Sequence, residues 1–141
     1  MTNLFETDFE EGLERYKQGE KPEDLIVYFK KICDHSPKHA IAWTCLAWLY
    51  LLADKPYKAL EAAKKSVKID SKSPQSRINL ALAMLECNVT GVRSHIQVAE
   101  QVMSLDKETY QEVLDNIEDG LTRKPNWENL KNIQKWLSLP S

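Results

Sequence analysis

The residue types that most often do chemistry are sparse in this sequence of 141 residues. Cys33, His35 and His39 form the densest group of potential metal ligands or nucleophiles, on either side of Ser36-Pro37. A metal site needs three or four converging ligands, and no further Cys or His pair lies nearby in the sequence to complete one. We therefore predict neither a metal centre nor a Cys–His nucleophile at this cluster.

Signatures of other active sites are equally weak. The four glycines stand singly, so the sequence contains no glycine-rich loop that could hold a phosphate. Adjacent carboxylates occur at Glu10-Glu11 and at Glu118-Asp119, in the pattern of solvated helix faces rather than of acid–base machinery. We predict a protein without enzymatic activity and without a cofactor.

The composition limits the classes of partner and the location. The 19 basic and 21 acidic residues give a formal charge of −2, which provides no general attraction to nucleic acid or to an anionic membrane. No apolar run approaches the roughly 20 residues that span a bilayer, and the N-terminus lacks the basic and apolar parts of a secretion signal. The three cysteines, an odd number, favour reduced thiols. We expect a cytoplasmic protein that does not span a membrane.

Helices must position these side chains, because apolar residues recur at intervals of three and four along the chain. The signals for helix starts are a capping-box pattern, prolines suited to a first turn and a polar cap before the last apolar stripe. They stand at Asp8 with Glu11, Pro22, Ser36-Pro37, Pro56, Ser73-Pro74 and Asn126. We predict helices over 8–18, 22–34, 36–53 and 56–70, from Ser73 onward, over 93–104 and 110–121, and from Asn126 onward. Residues 1–5 and 139–141 are expected to be loose ends.

The helical pattern repeats with a period of 34 residues. The residues Trp43, Leu46, Ala47 and Tyr50 recur as Arg77, Leu80, Ala81 and Met84, and earlier as Phe9, Gly12, Leu13 and Tyr16. A fixed period of this length is typical of a helical array, in which each unit buries its apolar face only by stacking on its neighbours. In the third copy the second helix lies two residues later, which predicts a longer loop within residues 88–91.

The residues of the middle copy resemble the tetratricopeptide repeat, a helix–turn–helix unit of 34 residues. Trp43, Leu46, Ala47, Tyr50 and Ala59 stand at the large and small positions of its motif. The resemblance implies an all-α, right-handed superhelix of about eight antiparallel helices in a single domain over residues 1–141. The repeats are predicted at about 5–38, 39–72 and 73–108, followed by C-terminal capping helices at about 108–138.

The resemblance also implies a function. In this family the first helix of each unit lines a concave groove in which protein partners bind. The residues placed there are Glu10, Glu14, Lys17, Thr44, Trp48, Leu51, Leu52, Gln75, Ile78, Asn79, Leu82 and Leu85. We therefore predict an adaptor or assembly factor that binds an amphipathic helix or an apolar peptide with some basic residues, with Trp48 as the energetic centre. Only Asn79 matches the basic and asparagine residues with which some members hold a chaperone's C-terminal carboxylate, so that ligand is not expected.

Two alternatives to an open groove follow from its apolar character, because exposed patches of this size are rare on a monomer. The last helices, which carry Trp127 and Trp136, could fold over the groove. A second copy of the chain could also cover it, as in a homodimer that serves as a structural or regulatory subunit without an external peptide.

Overall fold

The computed structural model describes residues 4–137, with side chains from Thr7 onward. Within that range the chain forms helices and short connections and no strand, which confirms the all-α prediction of about eight helices. The helices are α1 (Leu4–Lys17), α2 (Pro22–His35), α3 (Ala40–Leu52), α4 (Pro56–Ile69), α5 (Pro74–Glu86), α6 (Val92–Met103), α7 (Lys107–Arg123) and α8 (Glu128–Trp136). Over residues 4–137, every helix is too short or too polar to cross a bilayer.

Several predicted helix starts are wrong. Helix α1 already begins at Leu4, so Asp8 lies inside it and is no cap, and residues 4 and 5 are not loose ends. The other residues predicted to be loose, 1–3 and 139–141, lie outside the described part. Helix α3 begins at Ala40, not at Ser36-Pro37, because the imidazole Nδ1 of His39 accepts the backbone N–H of Ala42 and caps the helix instead.

The start of α8 is also shifted by one residue. Trp127, rather than Asn126, precedes its first turn. The other signals for helix starts are as predicted. Pro22, Pro56 and Pro74 stand in first turns, and the hydroxyl of Ser73 accepts the N–H of Ser76 at 3.3 Å.

The turns inside successive pairs show the same geometry. The turn after α3 has Asp54 at φ 59°, and the turn after α5 has Asn88, 34 residues later, at φ 58°. In both turns the N–H of the following residue donates at 2.8 Å to the carbonyl five residues earlier, which is the hydrogen bond that ends many helices with a left-handed residue. The α5–α6 connection then continues for two more residues, 87–91 against 53–55, as the spacing predicted.

Equivalent side chains also make equivalent contacts in successive pairs. The indole N–H of Trp43 donates to the carbonyl of Pro37 at 2.8 Å. One period later, the guanidinium Nε of Arg77 donates to the carbonyl of Ser71 at 2.7 Å. An arginine thus replaces an aromatic residue without loss of the bond that fixes the preceding loop to the helix.

The core of the array is built on small residues. Ala47 and Ala81 are fully buried, as are Ala59 and Ala63 on the inner face of α4. Helix α4 packs between α3 and α5, and short side chains allow this close approach.

Three hydroxyls tie these helices together inside the core. The Oγ1 of Thr44 on α3 lies 2.7 Å from the Oγ of Ser66 on α4 and 2.9 Å from the Oγ of Ser76 on α5. The two serine hydroxyls are 2.5 Å apart. Because Ser66 and Ser76 are fully buried, these mutual bonds offset the cost of removing the hydroxyls from water.

In the first helix pair, a glycine occupies the position at which the later pairs carry leucine. A Cβ added to Gly12 would lie 2.8 Å from the ring of Phe29 and 2.9 Å from that of Tyr28. The ring of Phe29 is 1% exposed and meets Phe9 edge-on, with ring centroids 6.0 Å apart. The missing side chain at Gly12 thus provides the space in which α2 places its aromatic residues.

Gly12→Ala should therefore lower the free energy of unfolding by about 1–3 kcal/mol, because the buried ring of Phe29 has little room to move. The measurement is urea unfolding followed by circular dichroism. Gly19→Asn is the control, since Gly19 has open space around its Cα and asparagine tolerates a positive φ. Equal stability of Gly12→Ala and the native chain would contradict the close packing of α1 on α2.

Candidate functional site

The residues predicted to line the groove do not form an open surface. The charged residues of α1 are exposed, and those of α3 and α5 are covered to different degrees. Glu10, Glu14 and Lys17 are exposed; Thr44, Trp48, Gln75 and Leu85 are half-buried; Leu51, Leu52, Ile78, Asn79 and Leu82 are buried. We call these α3 and α5 residues the groove wall. The α7–α8 hairpin (107–136) lies over it, so the structure matches the alternative in which the last helices fold over the groove.

Trp48 is the central contact between the groove wall and the α7–α8 hairpin. Its ring centroid lies 5.7 Å from that of Trp127. A Cβ added to Gly120 would lie 2.7 Å from Cη2 of Trp48 and 2.8 Å from Cδ2 of Leu130. The indole thus rests directly on the backbone of α7, which is possible only because residue 120 has no side chain.

A polar cluster closes one end of this contact. The indole Nε1–H of Trp48 donates to the hydroxyl of Tyr16 at 2.9 Å, and that hydroxyl donates to the carboxylate of Asp119. The guanidinium of Arg123 donates to Asp119 at 3.2 Å, lies 4.2 Å from the centre of the Tyr16 ring and reaches the Tyr16 carbonyl at 3.3 Å. We call Tyr16, Trp48, Asp119 and Arg123 the Tyr16 cluster. It joins α1 to α7 across the groove.

The environment of Tyr16 favours its neutral form. Burial and the adjacent Asp119 carboxylate raise the pKa of Tyr16 well above its ordinary value of 10.0, with burial the larger cause. The hydroxyl therefore remains a donor to Asp119 over the physiological pH range.

A second polar group lies at the loop between α7 and α8. The ammonium of Lys124 donates to the carboxylate of Asp54 at 2.6 Å and to the carbonyl of Leu51 at 3.4 Å, and lies 4.3 Å from the centre of the Trp127 ring. The indole of Trp127 donates to Glu86, which also accepts from Asn129 at 3.1 Å. These bonds attach the α7–α8 loop to the C-terminal ends of α3 and α5.

Asn79, the one residue that matched the carboxylate-binding members, is already engaged. It is fully buried, its Nδ2 donates to the Thr44 carbonyl at 3.0 Å, and its Oδ1 accepts from Gln75 at 2.8 Å. Gln75 in turn accepts from Asn116 of α7 at 3.0 Å. Both ends of the Asn79 amide therefore serve internal bonds, and a ligand carboxylate would have to displace one of them.

The thiols and imidazoles do not assemble into a reactive centre in the described part of the chain. Over residues 4–137, no group of three or more Cys, His, Asp or Glu side chains is placed to hold a metal ion. Burial raises the pKa of Cys33 and of Cys45 to about 12, which keeps both thiols protonated and weakly nucleophilic. His39 caps α3, and the guanidinium of Arg77 lies 2.8 Å from Nδ1 of His95.

Sequence reasoning missed the residues of the hairpin that complete this site. The sequence predicts Asp119 to be part of a solvated helix face and Gly120 to be an isolated glycine, and it makes no prediction for Arg123. A usable signal was present, since a glycine inside a long amphipathic helix costs about 1 kcal/mol relative to alanine and usually has a packing reason.

Gly120→Ala should loosen the hairpin by about 1–3 kcal/mol, because the steric cost at Trp48 and Leu130 exceeds the gain in helix propensity. Hydrogen exchange should become about tenfold to a hundredfold faster over 107–137, with protection of α3 to α6 retained. Thr122→Ala, two residues along on the exposed side of α7, is the control. Unchanged exchange in Gly120→Ala would contradict the direct contact of Trp48 with α7.

The chain should lose stability in alkaline solution, in part through Tyr16. A tyrosine whose folded pKa is raised contributes stability that is complete below the unfolded pKa, near 10.0, and that is lost as pH rises above it. Urea unfolding between pH 8 and pH 11 should therefore show a steeper loss in the native chain than in Tyr16→Phe. Tyr57→Phe, at an exposed position, should behave as the native chain does; an identical slope in Tyr16→Phe would contradict this role.

Comparisons with known proteins place the fold. No protein-family model matches the sequence, and no curated protein matches it. Solved structures do match. The first TPR domain of Spaghetti (RPAP3) bound to the HSP90 peptide SRMEEVD is 18% identical, with a TM-score of 0.57 over 95% of this chain and 90% of that one. The Sgt2 TPR domain from Aspergillus fumigatus is 16% identical, with a TM-score of 0.58 over 97% of this chain and 78% of that one.

The Arabidopsis OM64 TPR domain gives a similar result, at 16% identity and a TM-score of 0.58 over 95% of this chain and 93% of that one. These likenesses extend over nearly the whole chain, and they agree with the equivalent turns and equivalent Trp43 and Arg77 bonds of successive pairs. The chain therefore has the all-α, superhelical fold of a tetratricopeptide-repeat domain.

Proposed function

We propose that this protein is a protein–protein interaction adaptor without enzymatic activity, whose groove wall binds one amphipathic helical segment of a partner. The observation that supports the proposal is the position of the α7–α8 hairpin, an amphipathic helical segment of the same chain, on this wall. A similar fold in the RPAP3 domain holds a peptide of HSP90, which supports a role in protein binding for this chain as well.

The contacts of the hairpin define the chemistry of such a partner. Its apolar side chains include Ile117 on α7 and Leu130 and Ile133 on α8, each no more than 1% exposed. Each apolar side chain that is fully buried contributes about 1.5–3 kcal/mol. A partner helix that takes the place of α7 would need apolar residues at helical spacing, with a residue no larger than glycine where Trp48 lies.

The polar groups of the site also determine in which direction a partner helix would bind. A carboxylate beside the small residue meets Tyr16, as Asp119 does, and a basic residue one turn later meets Asp54 and the Leu51 carbonyl, as Lys124 does. The partner is thus a helix with an acidic residue before its small residue and basic residues after it. The exposed Glu10, Glu14 and Lys17 of α1 form the outer rim of this site.

The hairpin competes with any external helix. It is tethered to the groove wall through the three residues 104–106 that follow α6, and short connections give an effective concentration in the millimolar range. An external segment of equal intrinsic affinity therefore binds the native chain weakly. It binds tightly only when the hairpin is loosened.

The test uses the full chain and a fluorescent peptide with the sequence of residues 107–137. The peptide should bind Gly120→Ala about tenfold more tightly than the native chain, because the tethered competitor is weakened. Adding Trp48→Ala to Gly120→Ala should abolish binding with helix content unchanged by circular dichroism. The peptide SRMEEVD is a matched probe that should not bind, because the Asn79 amide is engaged. Equal binding to Gly120→Ala with and without Trp48→Ala would overturn the groove assignment.

A second candidate is self-association by exchange of the hairpin, favoured by the fact that the segment on the groove wall belongs to the same chain. The exchanged assembly would be a structural or regulatory subunit with no external peptide. Light scattering separates the two, because a dimer that persists on dilution favours exchange and a monomer favours the adaptor.

A further inference from the structure

The outer face of α4 is strongly basic. Six lysines lie between residues 55 and 72, all of them exposed: Lys55, Lys58, Lys64, Lys65, Lys68 and Lys72. The only acidic residues in this stretch are Glu61 and Asp70, which leaves a local charge of 6 − 2 = +4 in a chain whose total is −2. We call the exposed side chains of this stretch the α4 lysine face.

This charge is not neutralised within the molecule. The ion pairs formed by residues 7–137 involve none of the six lysines. Lys65 lies over the ring of Trp43, with its Nζ 4.5 Å from the centroid. The other five ammonium groups extend into solvent and are free to meet carboxylates.

The face is regular and firmly supported. Tyr57, Glu61, Lys64 and Lys68 lie along one line of the helix, and Lys58 and Lys65, seven residues apart, lie along a second line beside it. Glu61 is the one acidic residue of α4, against four lysines. Tyr57 is 73% exposed and Ile69 is 41% exposed, which adds limited apolar surface to the charged row. On its opposite side, α4 is held between α3 and α5 by its buried alanines and by the Ser66 hydroxyl bonds.

We propose that the α4 lysine face binds an acidic helical segment of a partner protein, with carboxylates at the i, i+4 and i+7 positions. Opposite charges at these spacings allow several lysines to pair at once with one helix, and the exposed ring of Tyr57 packs on its aliphatic carbons. This surface is separate from the groove wall, because the hairpin bonds described above involve α1, α3 and α5.

A polypeptide fits this surface better than other polyanions do. All basic residues between Arg15 and Arg77 are lysines, so the face lacks the guanidinium groups that bind phosphates in a bidentate manner. Outside residues 55–72 the chain has a net charge of −2 − 4 = −6, which repels a long nucleic acid. Tyr57 and Ile69 alone give too little apolar surface for a helix that lies in a membrane interface.

The experiment measures the binding of a fluorescein-labelled, glutamate- and alanine-based helical peptide to the full chain. We expect binding at low ionic strength that weakens about tenfold at physiological salt, as screening requires. Lys64→Glu/Lys68→Glu should weaken it at least about tenfold. Lys30→Glu/Lys31→Glu on α2 makes the same change in net charge and should leave affinity within about twofold, and all variants should keep their helix content.

Two controls separate this proposal from its competitors. Trp48→Ala/Gly120→Ala should bind the glutamate peptide as the native chain does, so a failed groove and a failed lysine face give different results. Equal losses in the α2 and α4 double variants would overturn the proposal. So would tighter binding of duplex DNA or of phosphatidylserine vesicles than of the glutamate peptide at matched salt.

Discussion

The shape of the concave side depends on one contact, the indole of Trp48 against the backbone of α7 at Gly120. An apolar wall facing solvent would be unstable in a monomer, and the hairpin removes it from water. The contact needs a residue without a side chain on one helix and a large flat ring on the other. The Tyr16 cluster then fixes the direction of the indole by accepting its N–H, so α7 has a single register on the wall.

Polar bonds at the C-terminal end of α7 and in the α7–α8 loop have a different role from the apolar contacts of the hairpin. Half-buried ion pairs such as Arg123 with Asp119 contribute little net stability once desolvation is counted. They do require a specific partner, because a segment that buried Trp48 but left Tyr16 or the Leu51 carbonyl without a partner would pay for an unsatisfied polar group. The apolar contacts therefore supply affinity for a helix, and the polar bonds supply selectivity among helices.

The array also separates two surfaces of opposite character. Its inner side is apolar and filled by the hairpin, and its outer side at α4 carries the lysines. Small residues such as Ala59, Ala62 and Ala63 make this possible, because they let α4 pack closely between α3 and α5 while its lysines remain exposed. The hydroxyls of Thr44, Ser66 and Ser76 hold these three helices in a fixed relation, so both surfaces are presented on a rigid frame.

The helices, their order and their period could be predicted from the sequence, because the spacing of apolar residues and the placement of prolines are local properties of a helix. Equivalent positions such as Trp43 and Arg77 could be paired for the same reason. Helix starts at Asp8, Ser36 and Asn126 were misplaced because capping depends on loop contacts. The segment that covers the groove wall could not be predicted in this way, since burial of Trp48 depends on which of several amphipathic helices folds back onto it. Gly120 indicates that α7 packs closely on another element but does not indicate which one. Asp119 and Arg123 follow the same pattern as a solvated face until Tyr16, more than a hundred residues away, is brought beside them.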